Sequence, residues 1–343
     1  MQETSRFTCF FKNKSVYNKH MAAAVTVTTS SHIRPLDIHR DLLAVADLID
    51  ICFASTMDAE GREYIQHIRR VASDPNYLRW MPGAAEKVSV PMHGYVWVED
   101  GRLVGNLTLI PFFRQGKWLY MIANVAVHPD YRQRGIGHML TEKALQHIHD
   151  HGAASAWLQV RDDNPVAYNL YLHLGFIERA WRTTWQGYSF QAPIAEMPVD
   201  LEVTAVANRD WPQQRAWLQA TYPPEVAWNL PFNINHLTPS FWSSLLRTLN
   251  GTIIEQWGAY QSNELIGAIT WEPSPLHQDV LWVAAEPAWE DKAIQALLPV
   301  VVASIHNGHS LVINYPAGHA DKAFLEAGFE KHNTLVWMEV KFK

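Results

Sequence analysis

Cysteine is nearly absent. The 343 residues hold two, Cys9 and Cys52, too few for a disulfide framework or a cysteine-built zinc site. That usage fits a reducing, cytoplasmic setting. A surplus of positive charge is missing too: 28 Lys and Arg stand against 34 Asp and Glu, a formal charge of −6. Nucleic-acid binding calls for a concentrated positive field, and none is found. No apolar run approaches the ~20 residues needed to cross a bilayer, so no membrane span is expected. Charged residues reach only 18% while hydrophobic residues reach 48%, which excludes a disordered solvating chain. Tryptophan is what the chain has in plenty: its 15 copies suit cores and pocket walls.

On a prior of about 150 residues per domain the length points to two domains. Residues 1–31 read as a disordered N-terminal extension: basic positions surround a short apolar patch, and neither a secretory nor a mitochondrial leader is expected. Periodic patterning begins at Ile33. A short strand leads to a helix with Asp41 as its candidate cap, and residues 55–92 resist assignment. Strands follow over 95–98, 103–110 and 119–127, then a helix from Ile136, a strand over 156–160, a helix over 165–174 and a strand over 176–185. The second half repeats this order, and Leu172-His173-Leu174-Gly175-Phe176 returns as Leu325-Glu326-Ala327-Gly328-Phe329. A period of roughly 155 residues is that of a duplicated domain, not of a solenoid. The prolines at 193 and 198 mark a linker over 192–199, between domains of 32–191 and 200–343.

The chemistry concentrates in Val125-Ala126-Val127-His128-Pro129-Asp130-Tyr131-Arg132-Gln133-Arg134-Gly135-Ile136-Gly137. A strand ends in a loop with two glycines, and the loop opens into a helix. The first turn of a helix leaves N–H groups unpaired, and its dipole favours an anion there. Gly135 and Gly137 let that anion approach the main chain, while Arg132 and Arg134 add charge. The segment reads as a diphosphate cradle. The Gly-Lys-Ser/Thr ending of a Walker loop is missing, and Leu140 breaks the dinucleotide-binding glycine spacing.

A second element lies downstream: Asn164, Ala167, Leu170, Tyr171, Leu174, Gly175 and Phe176 in the run from Asn164. With the Arg132, Gly135 and Gly137 cradle it resembles the GNAT superfamily of N-acetyltransferases, over about residues 33–190. The resemblance implies an α/β architecture of two tandem GNAT-like acyl-CoA N-acyltransferase folds, each a mixed, mostly antiparallel sheet flanked by helices. It implies acetyl-CoA as cosubstrate, no metal, and a small-molecule or peptide amine as acceptor, attacked directly in a ternary complex.

Residue by residue, the strand through Val125, Ala126 and Val127 would splay from its neighbour and bond the pantetheine arm. Main-chain N–H groups of Gln133, Arg134, Gly135, Ile136, Gly137 and His138 would hold the pyrophosphate. Asn164 would fix the cofactor near its thioester, and Tyr171 would be the general acid. A phenol near ~10 and a thiol near ~8.5 make that proton transfer undemanding.

The general base stays unassigned. The glutamate that some relatives use on the strand before the Asn element, notably ribosomal-protein acetyltransferases, is Gln159 here, and the second frequent location holds Asn124. His128, Asp162, Asp163 and His173, each with a capping or surface alternative, or a water chain to solvent, are the remaining candidates. The histidines His147, His151 and His173 lack a closed ligand set for a metal. Asp58, Glu60, Glu63, Tyr64, Tyr77 and Trp80 lie in the region that shapes the acceptor site in the family.

In the second half Glu290, Ala293 and Gln295 stand opposite Arg132, Gly135 and Gly137, and Ala317 and Phe324 opposite Asn164 and Tyr171. Its carboxylates would repel a diphosphate. It therefore resembles a degenerate GNAT-like domain, arranged as in tandem proteins of the mycothiol-synthase type. It could bury a sheet edge or wall the acceptor pocket with Trp217, Tyr222, Trp228, Phe232 and Trp242. A rival reading is a non-catalytic module that senses acetyl-CoA or a metabolite through the same cradle.

Overall fold

The computed structural model describes residues 32–57, 59–74, 93–188, 200–238, 254–274, 278–305 and 308–342. The extension of 1–31, the linker of 192–199, and Asp58, Tyr77, Trp80 and Trp242 lie outside these residues.

The first half runs β1 (Ile33–Pro35), α1 (Ile38–Phe53), α2 (Ala59–Ala72), β2 (Gly94–Glu99), β3 (Arg102–Arg114), β4 (Lys117–Val127), α3 (Ile136–Asp150), β5 (Ser155–Arg161), α4 (Pro165–His173) and β6 (Ile177–Tyr188). The second runs β7 (Glu202–Ala205), α5 (Trp211–Thr221), α6 (Pro224–Ala227), α7 (Ile234–Leu237), β8 (Glu255–Gln261), β9 (Glu264–Glu272), β10 (Gln278–Ala285), α8 (Glu290–Ser304), β11 (Ser310–Pro316), α9 (Asp321–Glu326) and β12 (Glu330–Lys341). Helix α2 falls in the stretch the periodicity left unassigned.

The cap of α1 is Asp37, whose side chain accepts from the His39 amide, and not the expected Asp41. Asp41 is buried within the helix and takes both guanidinium nitrogens of Arg34, at 2.5 and 2.8 Å. Leu42, Val45, Ala46 and Ile49 recur at helical spacing and pack with Ile65 and Ile68 of α2 over Val96 of β2.

Both halves share one sheet of 12 strands, ordered β1-β2-β3-β4-β5-β12-β6-β11-β10-β9-β8-β7. The final strands are exchanged. β12 lies between β5 and β6, with Leu335 opposite Arg161 on one side and Arg182 on the other. β6 in turn lies between β12 and β11, with Ile313 opposite Trp185. Each half completes the other's sheet, so the two cores meet without a seam. Helices α3 and α4 cover one core with Leu107, Leu158 and Met338, and α8 and α9 cover the other with Trp185, Ile269 and Ile313.

Candidate active site

The site forms where β4 and β5 part. They pair in parallel from Leu119↔Ser155 to Ile122↔Leu158 and no further, leaving a wedge between the ends that carry Val125, Val127 and Val160. A bulge shapes the β4 lip: Asn106 pairs with Ala126 and Thr108 with Ala123, and Asn124 adopts φ 51°. The Asn124 amide donates to the Tyr64 hydroxyl at 3.2 Å and to Thr108 Oγ1 at 3.4 Å. Asn106 Nδ2 donates to the Asn124 carbonyl at 3.0 Å. Burial pushes the Tyr64 phenol pKa up.

The His128 amide donates to the Val104 carbonyl at 2.8 Å. In an alternating antiparallel ladder this turns the N–H and carbonyl of Val127 away from β3, toward the wedge. The Val127 carbonyl there accepts from Arg132 Nε at 3.1 Å and from Cys52 Sγ at 3.3 Å. Ala126 pairs with Asn106 instead, so of these strand residues it is the one turned into the sheet.

The cradle follows. His128 caps a short 3-10 turn at Pro129–Tyr131, Gln133 adopts φ 63° and Gly135 φ 74°, and α3 starts with Gly135 as its N-cap. The backbone N–H groups of residues 133–138 find no acceptor among the described residues. They converge at the positive end of α3. Gly135 is needed for its left-handed backbone. Gly137 differs: a Cβ there would sit 3.7 Å from Leu170 Cδ2 and 3.9 Å from Val127 Cγ2, ordinary contact distances. The protein's own packing does not demand glycine at 137, whereas a ligand laid across the helix start would. The same two neighbours show that β4, the start of α3 and α4 meet at this point.

Charge around the cradle is partly committed. Arg134 pairs with Glu99 at 3.1 Å and lies 4.8 Å over the Tyr131 ring. Arg132 reaches the Val127 carbonyl rather than the loop amides. The Asn164 Oδ1 accepts from the Ala167 amide at 3.1 Å, so Asn164 is the N-cap of α4, a duty worth about 1 kcal/mol.

Tyr171 is buried in α4, edge-on to Phe176 at 5.8 Å. Its hydroxyl makes no hydrogen bond to the described residues. Burial raises its pKa well above the ordinary phenol value.

The base candidates are engaged elsewhere. His128 Nε2 lies 2.8 Å from Arg102 Nη2 and its Nδ1 accepts from the Asp130 amide. Asp163 pairs with Arg161 at 2.7 Å, Asp162 with Lys331 at 3.7 Å, and His173 Nδ1 bonds the Asn169 carbonyl at 2.6 Å. Gln159 sits opposite Trp337 in the ladder. Among the described residues no group of three or more His, Cys, Asp or Glu could hold a metal ion. No helix among them is long and apolar enough to cross a membrane. The contact of Cys52 with Val127 bridges 75 positions, and nothing in the local sequence signals it.

A wedge in a mixed α/β sheet beside an unpartnered amide cradle defines an acyl-CoA N-acyltransferase type of architecture. Residues 56–176 match the acetyltransferase (GNAT) family, and the chain carries a domain of that family. It is 38% identical over 82 residues to the ribosomal protein bS18-alanine N-acetyltransferase of Salmonella typhimurium, covering 23% of this chain and 55% of that one. It is 37% identical over 62 residues to the mycothiol acetyltransferase of Catenulispora acidiphila, covering 18% of this chain and 20% of that one. The chain thus spans about half the length of the first relative and less of the second. A crystal structure of a GCN5-related N-acetyltransferase from Sphaerobacter thermophilus matches with a TM-score of 0.57 at 17% identity, over 92% of this chain and 97% of that one. That likeness concerns the fold, and it extends through both halves.

Proposed function

We propose that the first half transfers an acetyl group from acetyl-CoA to a primary amine, with Tyr171 as general acid. The observation that carries this reading is the run of unpartnered N–H groups at residues 133–138 beside an open wedge. Acetyl-CoA supplies an activated thioester. The amides of Gln133, Arg134, Gly135, Ile136, Gly137 and His138 hold its diphosphate, and Arg132 is free to swing from Val127 onto that charge. Released by Arg132 and held by Cys52 alone, the Val127 carbonyl has a lone pair for an amide of the pantetheine arm. Asn164 contributes by fixing the start of α4 and so the height of Tyr171.

Tyr171 gives its proton to the sulfur as it leaves. Burial keeps the phenol protonated across the physiological range. The same dry surroundings disfavour a thiolate, so both pKa values move up together and the transfer stays feasible. With Gln159 and Asn124 at the usual base positions, the amine must arrive neutral or shed its proton to water. An ammonium near ~10 then makes the rate rise with pH.

A small-molecule amine is the acceptor favoured by Gln159. The Salmonella relative is named for a ribosomal protein, and position 159 is where the chain departs from the glutamate pattern. Gln159 also supports a second reading, a module that binds acetyl-CoA without turning it over. Thiol release across a panel of amines tests both. Turnover that Tyr171→Phe lowers about 100-fold supports the first, while CoA binding with no thiol released from any amine supports the second.

A further inference from the structure

On the face of the sheet away from α3, the two halves enclose a groove of about 440 Å³. Leu119 and Trp157 come from the first half, Glu225 of α6 and Trp228, the C-cap of that helix, from the second, with Arg114 and Lys117 at the β3–β4 turn. The Trp228 ring packs edge-on to Phe112 at 5.0 Å and to Trp157 at 5.8 Å. The groove therefore exists because α6 is laid over the first half's strands. Of the described aromatics expected to wall an acceptor pocket, Trp228 is the one that reaches across, while Tyr222, Trp217 and Phe232 pack in the second half's own core.

The charges do not balance. Glu339 is taken by Arg179 at 2.6 Å, with Lys341 at 3.8 Å. Arg114 has its guanidinium 6.0 Å over the Trp228 ring, and neither it nor Lys117 has a carboxylate within ion-pair distance among the described residues. Burial without a counter-charge holds Arg114 below its ordinary pKa. Against these two cations stands one lining carboxylate without a partner among the described residues, Glu225. Flat apolar walls with excess positive charge suit a flat body ending in an anion.

The groove also points somewhere. Ala156 and Leu158 face the α3 core, so Trp157 and Gln159 share the opposite face. Two residue steps along the strand carry Trp157 to Gln159, about 7 Å, and Gln159 stands beside the wedge. We propose that this groove holds the far end of the acceptor, and that this end is a carboxylate or phosphate carried on a flat apolar body. The inference rests on the acetyl-transfer reading for the near end, where the amine meets the thioester. It gives the second half a part in substrate choice.

Two acceptors test it: 4′-(aminomethyl)biphenyl-4-carboxylate and its carboxamide, followed by thiol release. The acid should show a KM about tenfold or more below that of the amide, and Arg114→Met should bring the two values together. Calorimetry with biphenyl-4-carboxylate, which has no amine, should show binding that Arg114→Met and Lys117→Met weaken by about the same factor and Glu225→Gln tightens. Circular dichroism checks that the variants fold. Equal KM values for acid and amide, or no binding of the carboxylate to the unmodified chain, would overturn the proposal. Carboxylate binding through Arg114 with no thiol released from any amine would leave the groove standing and remove acetyl transfer instead.

Discussion

The two halves open the same kind of cleft: β4 leaves β5 after Ile122↔Leu158, and β10 leaves β11 after Val280↔Val312. What occupies the clefts differs. In the second half the Val283 amide, on the opened strand, donates to the Tyr222 hydroxyl at 3.2 Å, and burial pushes that phenol up to about 12. Arg182, carried across on β6, lies 5.0 Å over the Tyr222 ring and bonds the Thr221 carbonyl at 2.6 Å and Asn314 at 2.8 and 2.9 Å. No glycine loop precedes α8; the helix starts at Glu290, whose carboxylate accepts from the Tyr315 hydroxyl at 2.8 Å. Phe324 fills the place of Tyr171. The second cleft is stoppered by the chain's own side chains. A frame survives through apolar burial alone, whereas chemistry needs donors left without partners.

The exchanged strands yield the largest expected effect. Residues 32–191 expressed alone lack β12, so β5 and β6 lose the strand between them. No cooperative unfolding transition is expected from that fragment. A sharp thermal transition would show that the halves are independent after all.

Next comes the cradle. Gly135→Glu puts a side chain in the left-handed region and a carboxylate where an anion should sit, much as Glu290 does by nature. Affinity for CoA, read by calorimetry, should fall at least about 100-fold, or about 2.7 kcal/mol. Glu290→Gln should leave that affinity within about twofold. Comparable losses from both substitutions would erase the contrast between the halves.

Much of this was legible in the sequence, for identifiable reasons. The strand, glycine loop and helix start around Gly135 follow local backbone rules and so show in the sequence, while the Asn164 to Phe176 run stands out only through its resemblance to the GNAT pattern. The order of strands and helices shows in the apolar periodicity of both halves. The exchange of β6 and β12 does not, because a buried strand has the same pattern whatever its neighbour. Asp41 differs from the expected cap because its buried carboxylate answers Arg34, and in sequence such a residue looks like any acidic residue at a helix start. That the Asn164 side-chain oxygen serves the Ala167 amide as a helix cap is a detail the family pattern does not carry. Trp228 has no local sequence signal of its role, which comes from its ring packing on Phe112 and Trp157 of the first half.

Smaller effects sharpen the same contrast. Because burial raises the Tyr171 pKa, its neutral form persists above the ordinary phenol range. The kcat profile should therefore show no descending limb below about pH 10. A fall in rate centred near neutrality would assign the proton to another group. Tyr222→Phe leaves the Val283 amide buried without an acceptor and should cost about 1–3 kcal/mol of stability, by denaturant titration, with CoA affinity unchanged. A gain in CoA binding would show that the stopper, rather than the missing cradle, silences the second half.

The most direct measurement is a crystal structure grown with CoA. The diphosphate should lie within hydrogen-bonding distance of the amides at residues 133–138, its arm entering between β4 and β5, with Tyr171 facing the sulfur. Density for the diphosphate at the start of α8, or away from both helices, would contradict the account.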